Sequence, residues 1–450
     1  MRGRGSRRFY LLNLGCAKNL VEGEHLAGAL LSAGWEAVSR PERAGLLLVN
    51  TCGFIQSAVE ESLEAALELA QAKREDQRLV VVGCLVGRYG KKLARSLPEA
   101  ELLVSPGELG RLLEHLERPP AGRLAISPAR GIFGAGDPRA LSTGPGWAYL
   151  RLADGCDHAC AFCTIPRIRG RLRSRPVEDV LSEAQGLVAS GVRELNLVAQ
   201  DTTAYGRDLG QRGALVELLE RLDAIEALSW IRLLYLHPDT LEKSVIQAVA
   251  RLPKVVPYFD LPVQHVADGV LAAMGRRRRG AEIRKLLSYI RETVAGATLR
   301  ATLMVGHPGE GEAEFRELLA FMEEVRFDHL GCFAYQPEAG TRSARRARVS
   351  EDEARRRVEE VMVLQRGISR QRLAALVGCR QEVLVLGPHP DSDLVWHGRL
   401  ASQAPEVDGV VIITEGWAPP GRLALCEITR SHDYDLEGRL GPKTISPHRQ

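Results

Sequence analysis

Asp154 to Cys163 reads "DGCDHACAFC" and places three cysteines within eight positions of a 450-residue chain that carries only nine. The spacing, Cys156-x3-Cys160-x2-Cys163, has a bland explanation, because positions i, i+4 and i+7 share one helix face and can simply be buried together. Three features oppose it. The segment is short, Gly155 precedes it and Pro166 soon follows. With nine cysteines in 450 residues, the two further matches are roughly a one-in-2500 coincidence per starting cysteine. Zinc is a second alternative, but a closed zinc site takes four ligands, and the nearest fourth, His158, sits among the three at an unusual spacing. Three clustered thiolates therefore predict an iron–sulfur cluster. A cubane is normally held by four thiolates, so three leave one iron open to a substrate or cosubstrate.

Composition bounds the rest. The chain is 45% hydrophobic with a formal net charge of +3, long enough for two or three domains and no polycation. Arginines cluster at Arg167–Arg175 ("RIRGRLRSR") and Arg276–Arg279 ("RRRR"), where solvated loops and phosphate contact are both open. No apolar run approaches the ~20 residues of a membrane helix. The opening "MRGRGSRRFYLLNLGC" looks like a basic leader ending in a lipid-acceptor Cys16, but its apolar part, "FYLLNL", is shorter than a secretory core of about 7–15 residues. A cytoplasmic protein with reduced thiols is expected.

From "RFYLLNL" to Leu97, apolar runs alternate with amphipathic stretches: helices near Asn19–Ala33, Ile55–Ala72 and Val86–Leu97 follow "RFYLLNL", "GLLLVN" and "LVVVG". That alternation predicts an α/β fold, a parallel sheet covered by helices. Arg118–Pro145, rich in Gly and Pro, reads as a linker. Six further β-like runs separated by helical stretches ("WAYLRLA", "ELNLVA", "WIRLLYL", "VPYFDLPV", "LRATLMVG", "HLGCFAY") predict a partial, open (β/α)6 version of the TIM barrel, with chemistry at the carboxyl ends of the strands. A charged helix near Ser350–Leu376 leads into four short strands resembling a small all-β barrel of the oligonucleotide-binding type.

Cys16, Cys52 and Cys84 are far apart in sequence, yet each ends an apolar strand run. Parallel strands of a doubly wound sheet line one crevice with their carboxyl ends, so the three can converge as a second three-thiolate cluster site. Three buried small residues are the plain alternative. Cys332, Cys379 and Cys426 show no such placement and read as core or unremarkable.

"CDHACAFC" directly after the first strand of a partial barrel resembles the radical S-adenosylmethionine enzymes. The resemblance implies that the open iron chelates the amino and carboxylate groups of S-adenosylmethionine. It also implies that one electron splits the cosubstrate to methionine and a 5′-deoxyadenosyl radical, so the chemistry is the cofactor's and no side chain is expected to be catalytic. An amino-terminal three-cysteine domain (residues 7–120), a radical core (142–372) and a small barrel resembling the TRAM domain (375–442) together look like the methylthiotransferases, which replace C–H by C–S–CH3. That family implies two 4Fe-4S clusters, S-adenosylmethionine as radical source and methyl donor, and an electron donor such as flavodoxin or ferredoxin.

Within the family, "NLGCAKNLVEGE", "NTCGFIQSAVEES", "GCDHACAFCTIPRIRG", "LVAQDT" and "LPVQH" resemble the branch that modifies an aspartate of the twelfth protein of the small ribosomal subunit. The transfer-RNA adenosine branch tends to read "YGCQMN" where this chain has Lys18 and Asn19. A non-catalytic iron–sulfur sensor or RNA-binding module is the alternative from another class. The resemblance assigns cosubstrate contacts to Phe162, Glu194, Gln200, Gln264 and Gly306, each with a structural role as alternative; Glu194 would accept from the methionine ammonium. His307 stands where the family usually has an aromatic, and Gly311 where Thr is common. Acidic runs in the terminal barrel ("SHDYDLEG", "EVDG", "CEIT") suggest a surface suited to a basic ribosomal protein, or merely solvated acids. Direct binding of nucleic acid is allowed but not required.

Overall fold

The computed structural model describes residues 7–128 and 131–445. The leader-like residues 1–6 and the linker residues 129–130 lie outside that range. The chain divides into two compact units. One runs to Ser142 and takes in Arg151–Glu183 and Glu338–Thr341; the other comprises Thr143–Leu150, Ala184–Pro337 and Arg342 onward.

The first unit opens with β1 (Arg8–Asn13), α1 (Ala17–Ser32), β2 (Glu36–Ala37), β3 (Leu46–Thr51), α2 (Gln56–Ala72), β4 (Arg78–Gly83), α3 (Cys84–Ser96), β5 (Leu102–Val104), α4 (Leu112–Glu117) and β6 (Leu124–Ala125). The sheet order is β2-β1-β3-β4-β5-β6, all parallel. Strand residues alternate between two cores: Leu47, Val49, Leu79 and Val81 pack with α2 and α3, whereas Leu46, Leu48, Val80 and Val82 pack with α1 and α4. Both faces are therefore covered, which is why these strands read as continuous apolar runs rather than alternating ones. The strand order reverses at the β1/β3 junction, the switch point at which open α/β sheets bind ligands.

Arg118–Pro145 is not the loose linker its Gly and Pro content predicts. It supplies β6, paired to β5, and Phe133 stacks on His25 at 4.7 Å. Arg139 donates to Glu24 at 2.6 and 2.9 Å and also pairs with Glu183, and both the amide and the hydroxyl of Ser142 donate to Glu24. Composition reports irregular backbone; it cannot report that an irregular segment is pinned by buried charge.

The chain continues through β7 (Trp147–Arg151), a short antiparallel pair β8 (Ala153–Asp154) and β9 (Arg173–Ser174) framing α5 (Ile165–Ile168), then α6 (Val177–Ala189). The second unit follows with β10 (Glu194–Val198), α7 (Ala214–Asp223), β11 (Trp230–Leu233), α8 (Lys243–Arg251), β12 (Val255–Gln264), α9 (Asp268–Met274), α10 (Gly280–Thr293), β13 (Thr298–Val305), α11 (Glu312–Val325) and β14 (His329–Ala334). Its six strands stand in sequential order, β7-β10-β11-β12-β13-β14, an open sheet of the partial-barrel kind. One face carries Leu195, Leu197, Ile231, Leu233, Phe259 and Leu261, all buried. The other carries Glu194, Asn196, Arg232, Tyr258, Asp260 and Arg300.

After α12 (Glu351–Ala374), capped by the Ser350 hydroxyl on the Glu353 amide, come β15 (Arg380–His389), β16 (Ser392–Leu400), β17 (Val411–Glu415), β18 (Leu423–Ser431) and β19 (Leu436–Ile445). They close into a barrel of five strands, not four. The fifth, β19, escaped notice because "LEGRLGPKTI" mixes charge, Gly and Pro. Ring closure, which leaves no edge exposed, is what makes a strand of it.

The segment joining β16 to β17 plugs the polar face of the half-barrel. Asp408 accepts from the Tyr258 hydroxyl at 2.6 Å, the Ala404 amide at 2.8 Å and Arg300 Nε at 3.3 Å; Arg232 donates to Ala401 O, and Glu406 accepts from Tyr149. Of the acids in "EVDG", Asp408 thus points into the protein, while the exposed Glu406 reaches Tyr149 from the surface. Asp433 is held by Arg370 and Arg366, Glu427 by Arg439, and Glu437 by His432. These surface acids of the barrel are therefore each paired with a basic side chain, Asp433 with arginines of α12 and Glu427 and Glu437 with neighbours within the barrel. Asp408→Asn should cost about 3 kcal/mol by weakening a buried pair that Arg300, Tyr258 and His329 all face. The check is chemical unfolding of the full chain, with Asp391→Asn, an exposed position, unchanged.

Candidate metal centres

Cys16, Cys52 and Cys84 follow β1, β3 and β4, three adjacent parallel strands whose ends stand in register: Asn13 opposite Asn50, and Thr51 opposite Gly83. Cys16 is the N-cap of α1 and Cys84 the first residue of α3. Helix N-termini favour thiolate over thiol. Cys52 is tied from behind, its amide donating to Ser62 Oγ and its carbonyl accepting from the same hydroxyl, both at 3.0 Å. A Cβ on Gly15, at φ +96°, would stand 2.7 Å from Cys52 Cβ and 3.2 Å from its sulfur, so the bare glycine backbone leaves room for the thiols to meet. Asn19 braces the crevice, donating to Leu14 O and Thr51 O, while Asn50 donates to Asn19 O at 2.7 Å.

The three thiols sit in unequal fields. Burial pushes Cys84 up to about 12 against the pull of Arg169, and burial with the nearby Cys16 raises Cys52. Burial works against the Cys16 thiolate too, but the Lys18 ammonium, the Asn19 amide, the Arg169 guanidinium and the Lys18 amide outweigh it and lower its pKa.

Cys156, Cys160 and Cys163 occupy the loop between β8 and α5, in the same unit. The His158 and Ile165 amides donate to the sulfurs of Cys156 and Cys163 at 3.4 Å, and Cys163 N donates to Cys160 O. Gly155, at φ +76°, closes the loop: a Cβ there would lie 2.0 Å from Arg171 O. Phe162 is half-buried within the loop. All six cysteines are free of disulfides. Among the described residues no three His, Cys, Asp or Glu side chains close in as a single ion requires. An all-sulfur donor set fits iron–sulfur chemistry.

The "RIRGRLRSR" run is split: Arg167 and Arg171 stay exposed, as a solvated loop would have them, while Arg169 and Arg175 turn inward to carboxylates. Arg167 binds Gly340 O, Arg173 pairs with Asp154 at 3.1 Å, Arg175 with Asp179 at 2.7 Å, and Arg169 is 1% exposed. The Arg169 guanidinium grips Glu22 of α1 with two nitrogens, Asn19 Oδ1 at 2.9 Å, and the Cys84 sulfur from Nε at 3.2 Å and Nη2 at 3.0 Å. Arg151 joins the same knot, 2.8 Å from Glu22 and 2.6 Å from Asp154. Burial alone would raise Asp154; Arg151, Arg169 and Arg173 outweigh it and bring it to about 2. The two cysteine sets are also linked by Thr164, whose hydroxyl donates to Phe54 O at 3.2 Å. Sequence reasoning missed Asn19, Glu22, Asn50 and Arg169, although each lies within or beside a quoted motif; nothing in spacing says which charges pair.

In the second unit Gln200 follows β10, Gln264 ends β12 and Gly306 follows β13, all at carboxyl ends. Gln264 holds φ +71°, and Tyr235, just beyond β11, holds φ +58°. Left-handed non-glycine residues of this kind cluster at functional edges. Gly306 has a packing reason as well, since a Cβ there would meet Ala354 at 2.9 Å. Glu194 is a correction. It is the first residue of β10, at the opposite end from the other three, and both oxygens are taken, by Arg232 at 3.0 Å and Arg399 at 2.5 Å. It cannot receive an ammonium at the carboxyl edge. His307 is a packing substitution: its ring is buried, edge-on to Tyr335 at 5.0 Å, and bonded to Ser343 Oγ at 2.7 Å. Burial lowers it to about 4, so it is neutral.

Family models match in three blocks: Uncharacterized protein family UPF0004 over residues 8–105, Radical SAM superfamily over 150–322 and TRAM domain over 377–440. Over 75% of its length the chain resembles, at the level of fold, a radical S-adenosylmethionine methyltransferase, TsrM, from Kitasatospora setae (TM-score 0.56, 16% identity, 77% of that chain). This is the domain set of a radical SAM enzyme. The chain is 47% identical over 441 residues to ribosomal protein uS12 methylthiotransferase RimO of Syntrophobacter fumaroxidans, covering 97% of this chain and 99% of that protein. It is 44% identical to the protein of that name from Anaeromyxobacter sp. strain K, over 96% and 93%. The chain belongs to the family of ribosomal protein uS12 methylthiotransferases.

Two outcomes follow from this geometry. Gly15→Ala should destabilise the first unit by about 1–3 kcal/mol through a strained left-handed φ and crowding at Cys52, read as a fall in Tm together with reduced iron uptake. Glu194→Gln strips the charge that Arg232 and Arg399 share and should cost about 3–5 kcal/mol of stability, while the Kd for S-adenosylmethionine of the folded protein, measured calorimetrically, stays put.

Proposed function

We propose that this chain inserts a methylthio group at the β carbon of an aspartate in the twelfth protein of the small ribosomal subunit. The observation that carries the reading is two sets of three free cysteines in one unit, one on the ends of three adjacent parallel strands and one in the C-x3-C-x2-C loop, tied by a single buried ion network. Three thiolates per set leave one corner of each 4Fe-4S cluster for an exogenous ligand. When bound, the clusters and S-adenosylmethionine supply the radical and the methyl group, chemistry beyond any side chain.

The protein's own part is to bind and orient. Cys16, Cys52 and Cys84 hold one cluster. Cys156, Cys160 and Cys163 hold the other, with the His158 and Ile165 amides donating to two of its sulfurs. Phe162, Gln200, Gln264 and Gly306 are assigned to the cosubstrate; Glu194 is withdrawn. Electrons come from a one-electron carrier such as flavodoxin or ferredoxin. The working compartment is the cytoplasm, and among the described residues no helix is long and apolar enough to cross a membrane.

The test compares cells with and without the gene. A methylthio mass increase on one aspartyl peptide of the ribosomal protein supports the assignment, whereas the modification in transfer-RNA nucleosides, with the peptide unchanged, overturns it. Anaerobic protein should carry about eight iron and eight sulfide per chain, and replacing either cysteine set by Ala should leave about four of each and abolish turnover.

A further inference from the structure

The Arg169 guanidinium meets more chemistry than an ion pair needs. It lies six residues past Cys163 in sequence, yet two of its nitrogens point at the sulfur of Cys84, from the other cysteine set, at 3.2 and 3.0 Å. Its remaining capacity goes to Glu22 and Asn19 Oδ1, so the planar fork is fixed on three sides and fully buried. Lysine carries its three donors on one nitrogen, so it could not set two nitrogens on the sulfur and two on the Glu22 carboxylate at once. Glu22 is itself held by Arg151, so the fork has no second resting place. N–H···S bonds to a ligating sulfur draw off negative charge and favour the reduced, more negative state of a cluster, and such outer partners also set ligand orientation.

We propose that Arg169 is the positioning residue of the amino-terminal cluster: it fixes the Cys84 sulfur for iron and, through two N–H···S bonds, raises that cluster's reduction potential without setting the potential of the cluster on Cys156, Cys160 and Cys163. This rests on the assignment of Cys84 as a ligand. It divides labour within one continuous segment of chain, because the stretch that carries one cluster supplies the residue that tunes the other.

The test uses anoxically reconstituted full-length protein in two backgrounds, each keeping one cluster: C156A/C160A/C163A and C16A/C52A/C84A. Iron content and EPR-monitored redox titration are read for R169K and for R169Q/E22Q, the latter removing both charges of the pair so that no buried carboxylate is stranded. In the first background the midpoint potential should fall, further for R169Q/E22Q than for R169K, or iron should be lost from that site alone. In the second background iron and potential should match the parent. Retained iron with an unchanged potential in the first background overturns the proposal, and so does an equal shift or loss in both. A C84A single variant that keeps the amino-terminal cluster would instead sink the ligand assignment beneath it, a result separable from any behaviour of Arg169.

Discussion

Four buried charges hold the first unit, Arg151 and Arg169 against Glu22 and Asp154, with the half-buried Arg173 closing on Asp154 from the rim. Ions taken out of water at this depth must be matched closely, and removing any one leaves its partner uncompensated. The chain positions matter as much as the energy. Glu22 lies six residues after Cys16, Asp154 two before Cys156 and Arg169 six after Cys163. The helix that leaves one cysteine set and both flanks of the other are therefore locked into one arrangement, and neither set can shift without exposing or stranding charge.

Around that knot the backbone is arranged to bring sulfurs to an edge. Parallel pairing puts the ends of β1, β3 and β4 side by side, and glycines at Gly15 and Gly155 let the chain turn where a side chain would collide. The Arg88–Glu338 pair adds a further tie, since Glu338 also accepts from the amide of Gln56 at the start of α2, directly beyond the Cys52 loop, and Arg88 donates to Gly53 O. Cysteines supplied by such turns are presented by fixed backbone rather than by mobile loops, as preorganised metal ligands need to be.

The second unit follows a similar economy. A half-barrel with a polar face would hold unmatched charge, and the segment Arg399–Asp408 from the terminal barrel removes the mismatch by placing Arg399 on Glu194 and Asp408 on Arg300. That use of the barrel's charges inverts the expectation drawn from its acidic composition. Asp408 at least is taken from any basic partner, since it is committed inside the unit to Arg300 and Tyr258.

Period and punctuation alone were enough to read the doubly wound sheet, the six sequential strands and the equivalent strand-end positions of Cys16, Cys52 and Cys84. Apolar periodicity and strand order are local consequences of burial on one or two faces, and the three-cysteine loop is local by construction. Pairing of charge is not local. The resemblance assigns Glu194 to the methionine ammonium, but its partner Arg399 lies 205 residues away, beyond the reach of any local pattern. The inward turn of Arg169, the pinned segment before β7 and the fifth barrel strand stayed hidden for the same reason: composition counts charges, glycines and prolines, whereas only the folded chain decides which distant group answers each one.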